Sequence, residues 1–469
     1  MSLTADVAAT LQPGFPGSDV PDWLVRAHGL GLASVCLYGD NVTGSGGLVA
    51  LCATLHERMP GVLLAVDEEG GDVTRLHYPA GSTAVGNAVL GRLDDPETTG
   101  AVAAGIGHEL AELGVGLDLA PDVDVNSSPE NPVIGVRSFG DDPALVARHA
   151  AAWVEGLQST GVAACAKHFP GHGDTVVDSH HGLPRVDVAL EVLRERELAP
   201  FRAAVDAGVA AVMTSHIIVS ALDPNCPATF SGTVIGVLRD ELGFDGVVVS
   251  DALDMAGASA DTGVPEAAVR ALAAGVDLLC LGSGTTRETY DAVHAAIVSA
   301  VLEGRLPQDR VAEAAERVRS LATTSSRMPQ PGIRDDVESA ALPDETVARA
   351  FWANDTARAW LAAPAPLAVV QVGSTANLAV GGVAWGPAAL GATVAETAVP
   401  AGARVAVVGR AVGADHPALA VVDRLRAAGH DVVLVECGWP RGGADIETFG
   451  GSPAVARTLL ALLRGEVGP

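Results

Sequence analysis

Lysine is almost missing from this sequence. Of the 29 Lys and Arg residues in the 469-residue chain, one is a lysine, Lys167. A chain that uses arginine everywhere else and keeps one ammonium needs a compact point charge there, not a planar fork. No stretch approaches the about 18 uninterrupted apolar residues that suggest a membrane-spanning helix. Met1 to Gly17 has neither a basic start nor a long apolar run, so no signal peptide is expected. The six cysteines (Cys36, Cys52, Cys165, Cys226, Cys280, Cys437) show no C-x-x-C spacing. Cys36, Cys165 and Cys280 sit inside apolar, strand-like runs, as buried reduced thiols do. Together these absences predict a cytoplasmic protein, or one exported by a route the sequence does not show. Positive charge is also scarce. A formal net charge of -28 argues against nucleic acid and anionic membrane surfaces as partners.

What is present is apolar: 48% hydrophobic against 18% charged residues, enough for a large core and too much for disorder. Short apolar runs alternate with helical patterns up to about residue 325. Strands are expected near Val7–Leu11, Ala33–Tyr38, Val62–Asp67, Gly116–Ala120, Val162–Lys167, Val209–Thr214, Gly246–Ser250 and Val276–Leu281. They do not alternate apolar and polar, as befits parallel strands covered on both faces. Helices are expected at Pro96–Leu113, Pro143–Gln158, Ala189–Asp206 and Pro265–Ala274, then at Tyr290–Leu302 and Pro307–Ala322. The fold class that follows is α/β: a (β/α)8 TIM-like barrel over residues 1–325. A linker over 326–344 and a small C-terminal α/β domain over 345–469 complete the expected layout. In the last part a helix is predicted at Thr346–Leu361, and strands at Leu367–Val372, Arg404–Val408 and Asp431–Glu436. It shows no G-x-G-x-x-G turn and no P-loop, so no nucleotide site is expected.

Barrel active sites lie at the C-terminal strand ends, and polar residues gather there. Asp67 and Glu68 follow the third strand, Asp122 and Asp124 the fourth, Lys167 and His168 the fifth, Ser215 and His216 the sixth, and Ser250 and Asp251 the seventh. The richest stretch is AKHFPGHGDTVVDSHHGLP, residues 166–184. Asp251 reads as a nucleophile or as a helix N-cap, and Asp254 as a first-turn helix acid. Asp178 and His180 form a D-x-H pair, in which a carboxylate would raise and orient an imidazole that exchanges protons near neutrality. His181 is an equal rival to His180 on chemistry alone. His168, His172, Asp174, Asp178 and His180 could suggest a metal, but no H-x-H or H-E-x-x-H pairing is present and Lys167 would repel a cation, so no metal is expected. Arg75 and Arg137 suit multi-donor recognition of carboxylates or sugar hydroxyls.

Four segments, AVDEEGGDVTRL (65–76), LAPDVDVNSSPENPVIGVRSFG (119–140), residues 166–184 and GVVVSDALDM (246–255), resemble glycoside hydrolase family 3, in its β-N-acetylglucosaminidase branch. The resemblance spans about residues 1–325 and independently implies a (β/α)8 barrel. It implies that Asp251 is the nucleophile and that His180, paired with Asp178, is the acid/base. It further implies that Asp67, Arg75, Arg137, Lys167 and His168 bind the N-acetylglucosamine unit of a small-molecule carbohydrate substrate. No cofactor is expected. The segment LYGDNV (37–42) departs from the aromatic-Arg-Asn pattern expected after the second strand. The expected reaction is retaining exo-hydrolysis of terminal β-linked N-acetylglucosamine, from peptidoglycan fragments or chitooligosaccharides. The competing readings are phosphorolysis or a broader β-glucosidase activity at the same site, a metal-dependent barrel hydrolase, and a sugar-binding protein without catalysis.

Overall fold

The computed structural model describes residues 2–42, 45–175, 183–260, 262–325, 340–373 and 379–468. Its larger part is a parallel sheet curled on itself. The strands are β1 (Leu11–Gln12), β2 (Ser34–Cys36), β3 (Leu63–Val66), β4 (Val115–Asp118), β5 (Ala163–Phe169), β6 (Ala211–Thr214), β7 (Val247–Val249) and β8 (Leu279–Cys280). Strands β2 to β7 pair in chain order. A parallel bridge between Val249 and Leu278 joins β7 to β8. Leu279 pairs with Leu11, and the Cys36 amide donates to Pro13 O at 3.1 Å, which closes the ring between β1 and β2.

Both faces of these strands are buried, so their sequence carries no polar alternation. Cys36, Leu63, Ala65, Leu117, Ala163, Cys165, Ala211, Met213, Val247 and Val249 form one cluster inside the barrel. Alternate residues such as Val35, Leu64, Val66, Ala164, Val212 and Val248 belong to the outer core, under the helices. Val318, Leu321 and Ala322 of the helix Gln308–Ser325 join the interior cluster and plug the foot of the barrel.

The first expected strand is displaced. Val7 to Ala9 belong to a helix, Leu3–Ala9, capped by Ser2, whose Oγ accepts the Ala5 amide at 3.3 Å. Its Asp6 pairs with Arg319 at 2.8 Å, and the strand shrinks to Leu11–Gln12. The apolar run Val7-Ala8-Ala9 is buried in full, and a short buried helix looks like a strand by apolarity alone. The expected helix Ala189–Asp206 contains a π-turn at Leu193–Glu197.

Beyond the barrel lies a second, five-stranded sheet: β9 (Trp352–Ala353), β10 (Leu367–Gln371), β11 (Arg404–Gly409), β12 (Asp431–Glu436) and β13 (Ile446–Glu447). Their order is β9-β13-β12-β11-β10, parallel except for β9. The expected helix Thr346–Leu361 is in fact two, Asp344–Ala348 and Asp355–Leu361, with β9 between them. Asn354 starts the second by accepting the Ala357 amide at 2.7 Å. Residues 326–339 of the expected linker lie outside the described residues. Among the described residues, no helix is long and apolar enough to cross a membrane.

Candidate active site

A cavity of about 650 Å³ opens at the C-terminal ends of the barrel strands. Its wall includes Asp67, Glu69, Arg75, Arg137, Lys167, His168 and Asp251. Six of the eight expected site residues therefore converge. The other two, Asp178 and His180, lie outside the described residues, as does His181.

Lys167 is the hub. It extends β5 into the cavity wall and is only 2% exposed. Its Nζ lies 2.7 Å from Asp67 Oδ1 and 2.7 Å from Glu69 Oε1. Burial would strip its proton, but the two carboxylates outweigh that and keep it charged. Burial would likewise raise Asp67, yet Lys167 and Arg75 hold it below the usual carboxylate range. Glu69 is likewise held low, against burial, by Arg137 and Lys167. Arg137 grips Glu69 with two parallel bonds, Nε to Oε2 at 2.9 Å and Nη2 to Oε1 at 2.8 Å, the fork geometry that lysine cannot supply.

Glu69 is not among the expected site residues, whereas the sequence places Glu68 at the strand end. The structure exchanges them. Glu68 turns away, and its Oε2 accepts from Thr74 Oγ1 (2.8 Å), the Arg75 amide (2.8 Å) and the Leu76 amide (2.9 Å). It shapes the loop that presents Arg75. The period-2 rule places Asp67 and Glu69 on one side of an extended chain, a signal that could have found Glu69.

His168 is held as the neutral imidazole. Arg137 Nη2 lies 3.3 Å from its Nε2, and an arginine can only donate, so Nε2 accepts and Nδ1 carries the hydrogen. That Nδ1 donates to Asp124 Oδ2 at 2.7 Å. Burial, reinforced by Arg137, pushes the His168 pKa down to about 4. Asp124 Oδ1 also accepts the amides of His168 (3.3 Å) and His172 (2.7 Å). Asp122 is fully buried, with Oδ2 3.4 Å from Arg137 Nη2, and burial with the neighbouring Asp124 pushes its pKa up to about 8. Asp122, Asp124 and His168 could offer three metal-donor atoms within 4.8 Å of one another. The Arg137 guanidinium beside Asp122 and His168 already brings a positive charge to that spot, so the donor set fits a cation poorly. Of the remaining loop residues, Asp174 pairs with Arg196 at 2.9 Å, and His172 Nδ1 meets Thr175 Oγ1 at 2.8 Å.

Asp251 leaves the end of β7 half-buried in the cavity wall. Its Oδ1 accepts the amide of Ala252 at 2.8 Å, and His216 Nε2, 3.0 Å from Ala252 O, fixes the turn. No helix starts at Ala252; the next one is Ala256–Ser259. The N-cap reading of Asp251 therefore fails, and so does the first-turn reading of Asp254, which is exposed and lines the cavity. Arg75 points its Nη2 toward Asp67 Oδ2 (3.6 Å) and donates to Ala379 O (2.9 Å), a residue of the second unit. A pocket with a carboxylate on one wall and a dense set of fixed donors and acceptors on the other suits a polyhydroxylated, uncharged ring.

The family model "Glycosyl hydrolase family 3 N terminal domain" matches residues 21–321. The chain belongs to glycosyl hydrolase family 3. Beta-hexosaminidase A of Pseudoalteromonas piscicida is 34% identical over 327 residues, which cover 64% of this chain and 54% of that one, so the chain spans about half the length of that relative. Among solved structures, the glycoside hydrolase family 3 beta-N-acetylglucosaminidase from Paenibacillus sp. str. FPU-7 matches 100% of this family 3 chain and 97% of its own, at 30% identity and a TM-score of 0.84. The beta-N-acetylhexosaminidase from Beutenbergia cavernae DSM 12333 covers 69% of this chain with 99% of its own, at 32% identity and a TM-score of 0.60.

Proposed function

We propose that this family 3 chain is a retaining exo-β-N-acetylglucosaminidase. The observation that carries the reading is the convergence of Asp251 with Lys167, Arg137, His168, Asp67 and Arg75 around one cavity. The names of the Pseudoalteromonas, Paenibacillus and Beutenbergia proteins support the choice of sugar. In this mechanism the buried ion network binds the terminal sugar and fixes its anomeric carbon beside Asp251. The Asp251 carboxylate attacks that carbon and forms a glycosyl ester, while His180 protonates the departing oxygen. Asp178 orients the His180 ring and favours its imidazolium form. In the second step His180 takes a proton from water, which displaces the sugar from Asp251 with net retention. The substrates fitting this chemistry are short fragments of peptidoglycan or chitin, and the six unpaired cysteines fit a reducing compartment such as the cytoplasm.

Hydrolysis is preferred to phosphorolysis on one observation. The three cations of the described cavity wall each face a carboxylate: Lys167 faces Asp67 and Glu69, Arg137 faces Glu69, and Arg75 faces Asp67. That leaves little net positive charge to attract an incoming phosphate dianion. The test is incubation with an aryl β-N-acetylglucosaminide, with and without phosphate and chelator, beside Asp251→Asn. Turnover that survives the chelator, disappears in the variant and yields free sugar in phosphate supports the proposal. Sugar 1-phosphate would replace it with a phosphorylase. Turnover of the glucoside alone would replace it with a β-glucosidase.

A further inference from the structure

The loop after β3 faces two ways. Glu69 and Arg75 serve the cavity, while Asp72 and Tyr78, between and beyond them, grip the second unit. Asp72 is 6% exposed. Its Oδ1 accepts the amide of Gly451 at 3.0 Å, and its Oδ2 lies 3.2 Å from Arg410 Nη2. Arg410 itself lies over the Trp385 ring, 4.5 Å from its centroid. The Tyr78 hydroxyl accepts the Gly382 amide at 2.9 Å. Val73 forms a small apolar seam with Val380 and Val383, and Tyr78 packs against both this seam and the main core. The same stretch of the second unit supplies Ala379, whose carbonyl holds Arg75 and which lines the cavity.

The turn between these contacts leaves little slack. Gly70 and Gly71 adopt φ of 73° and 59°, and a Cβ on Gly71 would stand 2.5 Å from the Gly86 Cα. Glu69 N donates to Val73 O at 3.1 Å and Gly71 N to Ala84 O at 3.2 Å. A shift at Asp72 therefore moves Glu69 on one side and Arg75 on the other. Because Glu69 joins Lys167 to Arg137, both cations would follow.

We propose that the second unit belongs to the sugar-binding apparatus, with Asp72 as the positioning residue that transmits its hold to Glu69 and Arg75. Asp72 touches no substrate; it acts through its neighbours in the loop. The inference rests on the proposed glycosidase function, and the experiment separates the two. Wild-type turnover tests the function, while variant-to-wild-type ratios, measured on whichever glycoside the enzyme accepts, test the coupling.

The experiment measures kcat, KM and competitive inhibition by the free product sugar for Asp72→Asn, Arg410→Gln, Arg410→Lys and Tyr78→Phe in the full chain. For Asp72→Asn and Arg410→Gln, KM and the inhibition constant should rise together by about tenfold, with kcat within about twofold, as expected when binding shared by ground and transition states is lost. Arg410→Lys should keep most of the binding, and Tyr78→Phe should show a smaller shift of the same sign. Should Asp72→Asn not fold, the Arg410 and Tyr78 variants decide alone. Lower melting temperatures with unchanged KM and unchanged product inhibition would overturn the proposal and leave the second unit as a brace.

Discussion

The barrel carries two buried ionic clusters, one at each end. At the foot, Asp277 precedes β8 and receives Arg239 Nη2 (2.6 Å), the Val248 amide (3.0 Å), Arg310 Nη2 (2.5 Å) and Arg317 Nη1 (3.5 Å). Both of its oxygens are satisfied. At the mouth, Lys167, Asp67, Glu69, Arg137, Asp122 and Asp124 line or underlie a cavity, and Asp122 Oδ2 accepts no hydrogen bond. Both clusters required charges to be taken out of water, which costs several kcal/mol per ion before partners compensate. The difference lies in what each borders: Asp277 and its arginines lie away from the cavity, whereas Asp67, Glu69, Arg137 and Lys167 form its wall. A buried cluster enclosed by packed elements holds them together, whereas one that walls an open cavity is ready for a ligand.

That contrast can be broken by substitution. The largest effect belongs to Asp251→Asn at the mouth: kcat should fall by about 10⁴-fold or more, as for loss of a nucleophile, with an unchanged melting temperature. Next comes Lys167→Met, for which kcat/KM should fall by about 10²-fold through lost charge-assisted bonds and the freed Asp67 and Glu69 carboxylates. The foot should answer in the other quantity. Asp277→Asn leaves three arginines facing a neutral amide and should cost about 3 kcal/mol in denaturant unfolding, while the KM of the folded fraction stays at the wild-type value. A KM rise in Asp277→Asn, or a large stability loss without a binding loss in Lys167→Met, would erase the distinction.

The smallest effects concern pH. His168 and His172 have their pKa pushed down to about 4 by burial, below the ordinary value of 6.5. The unfolded chain protonates first, so their contribution to stability is full above pH 6.5 and is lost as pH falls toward 4. Asp122 works in the opposite sense. Its pKa of about 8 lies above the ordinary 3.8, so its contribution is full at low pH and is lost as pH rises from about 4 to about 8. Asp122→Asn removes that term, so its melting temperature should gain on the wild type steadily between pH 5 and pH 8. A parallel pair of melting curves across that range would show that Asp122 is ionised in the fold.

The strand ends were legible because a buried parallel strand that terminates in a polar residue stands out against its own apolar run. Lys167, Asp67 and Asp251 were found this way, and all three reach the cavity. Glu69 was missed because two consecutive glutamates carry the same sequence signal, and only the turn of the chain assigns one to the cavity and the other to the loop. The first strand was misplaced because Val7-Ala8-Ala9 is apolar in every direction, so neither period dominates. Strands β9 and β13 are two residues long and too short to show any pattern. The bond from Arg75 to Ala379 joins residues 304 apart in sequence; no local spacing announces such a contact, and the hold of the second unit on the mouth emerges only in three dimensions.

Within these 469 residues the one ε-amino group is buried in the cavity wall. No lysine on the outer surface of the described structure can accept an acyl group, form an isopeptide bond or anchor an amine-directed crosslinker. A slow reagent that does reach Lys167 must first part it from two carboxylates, so its labelling rate reports how often the pocket loosens, and a ligand seated in the cavity should silence it.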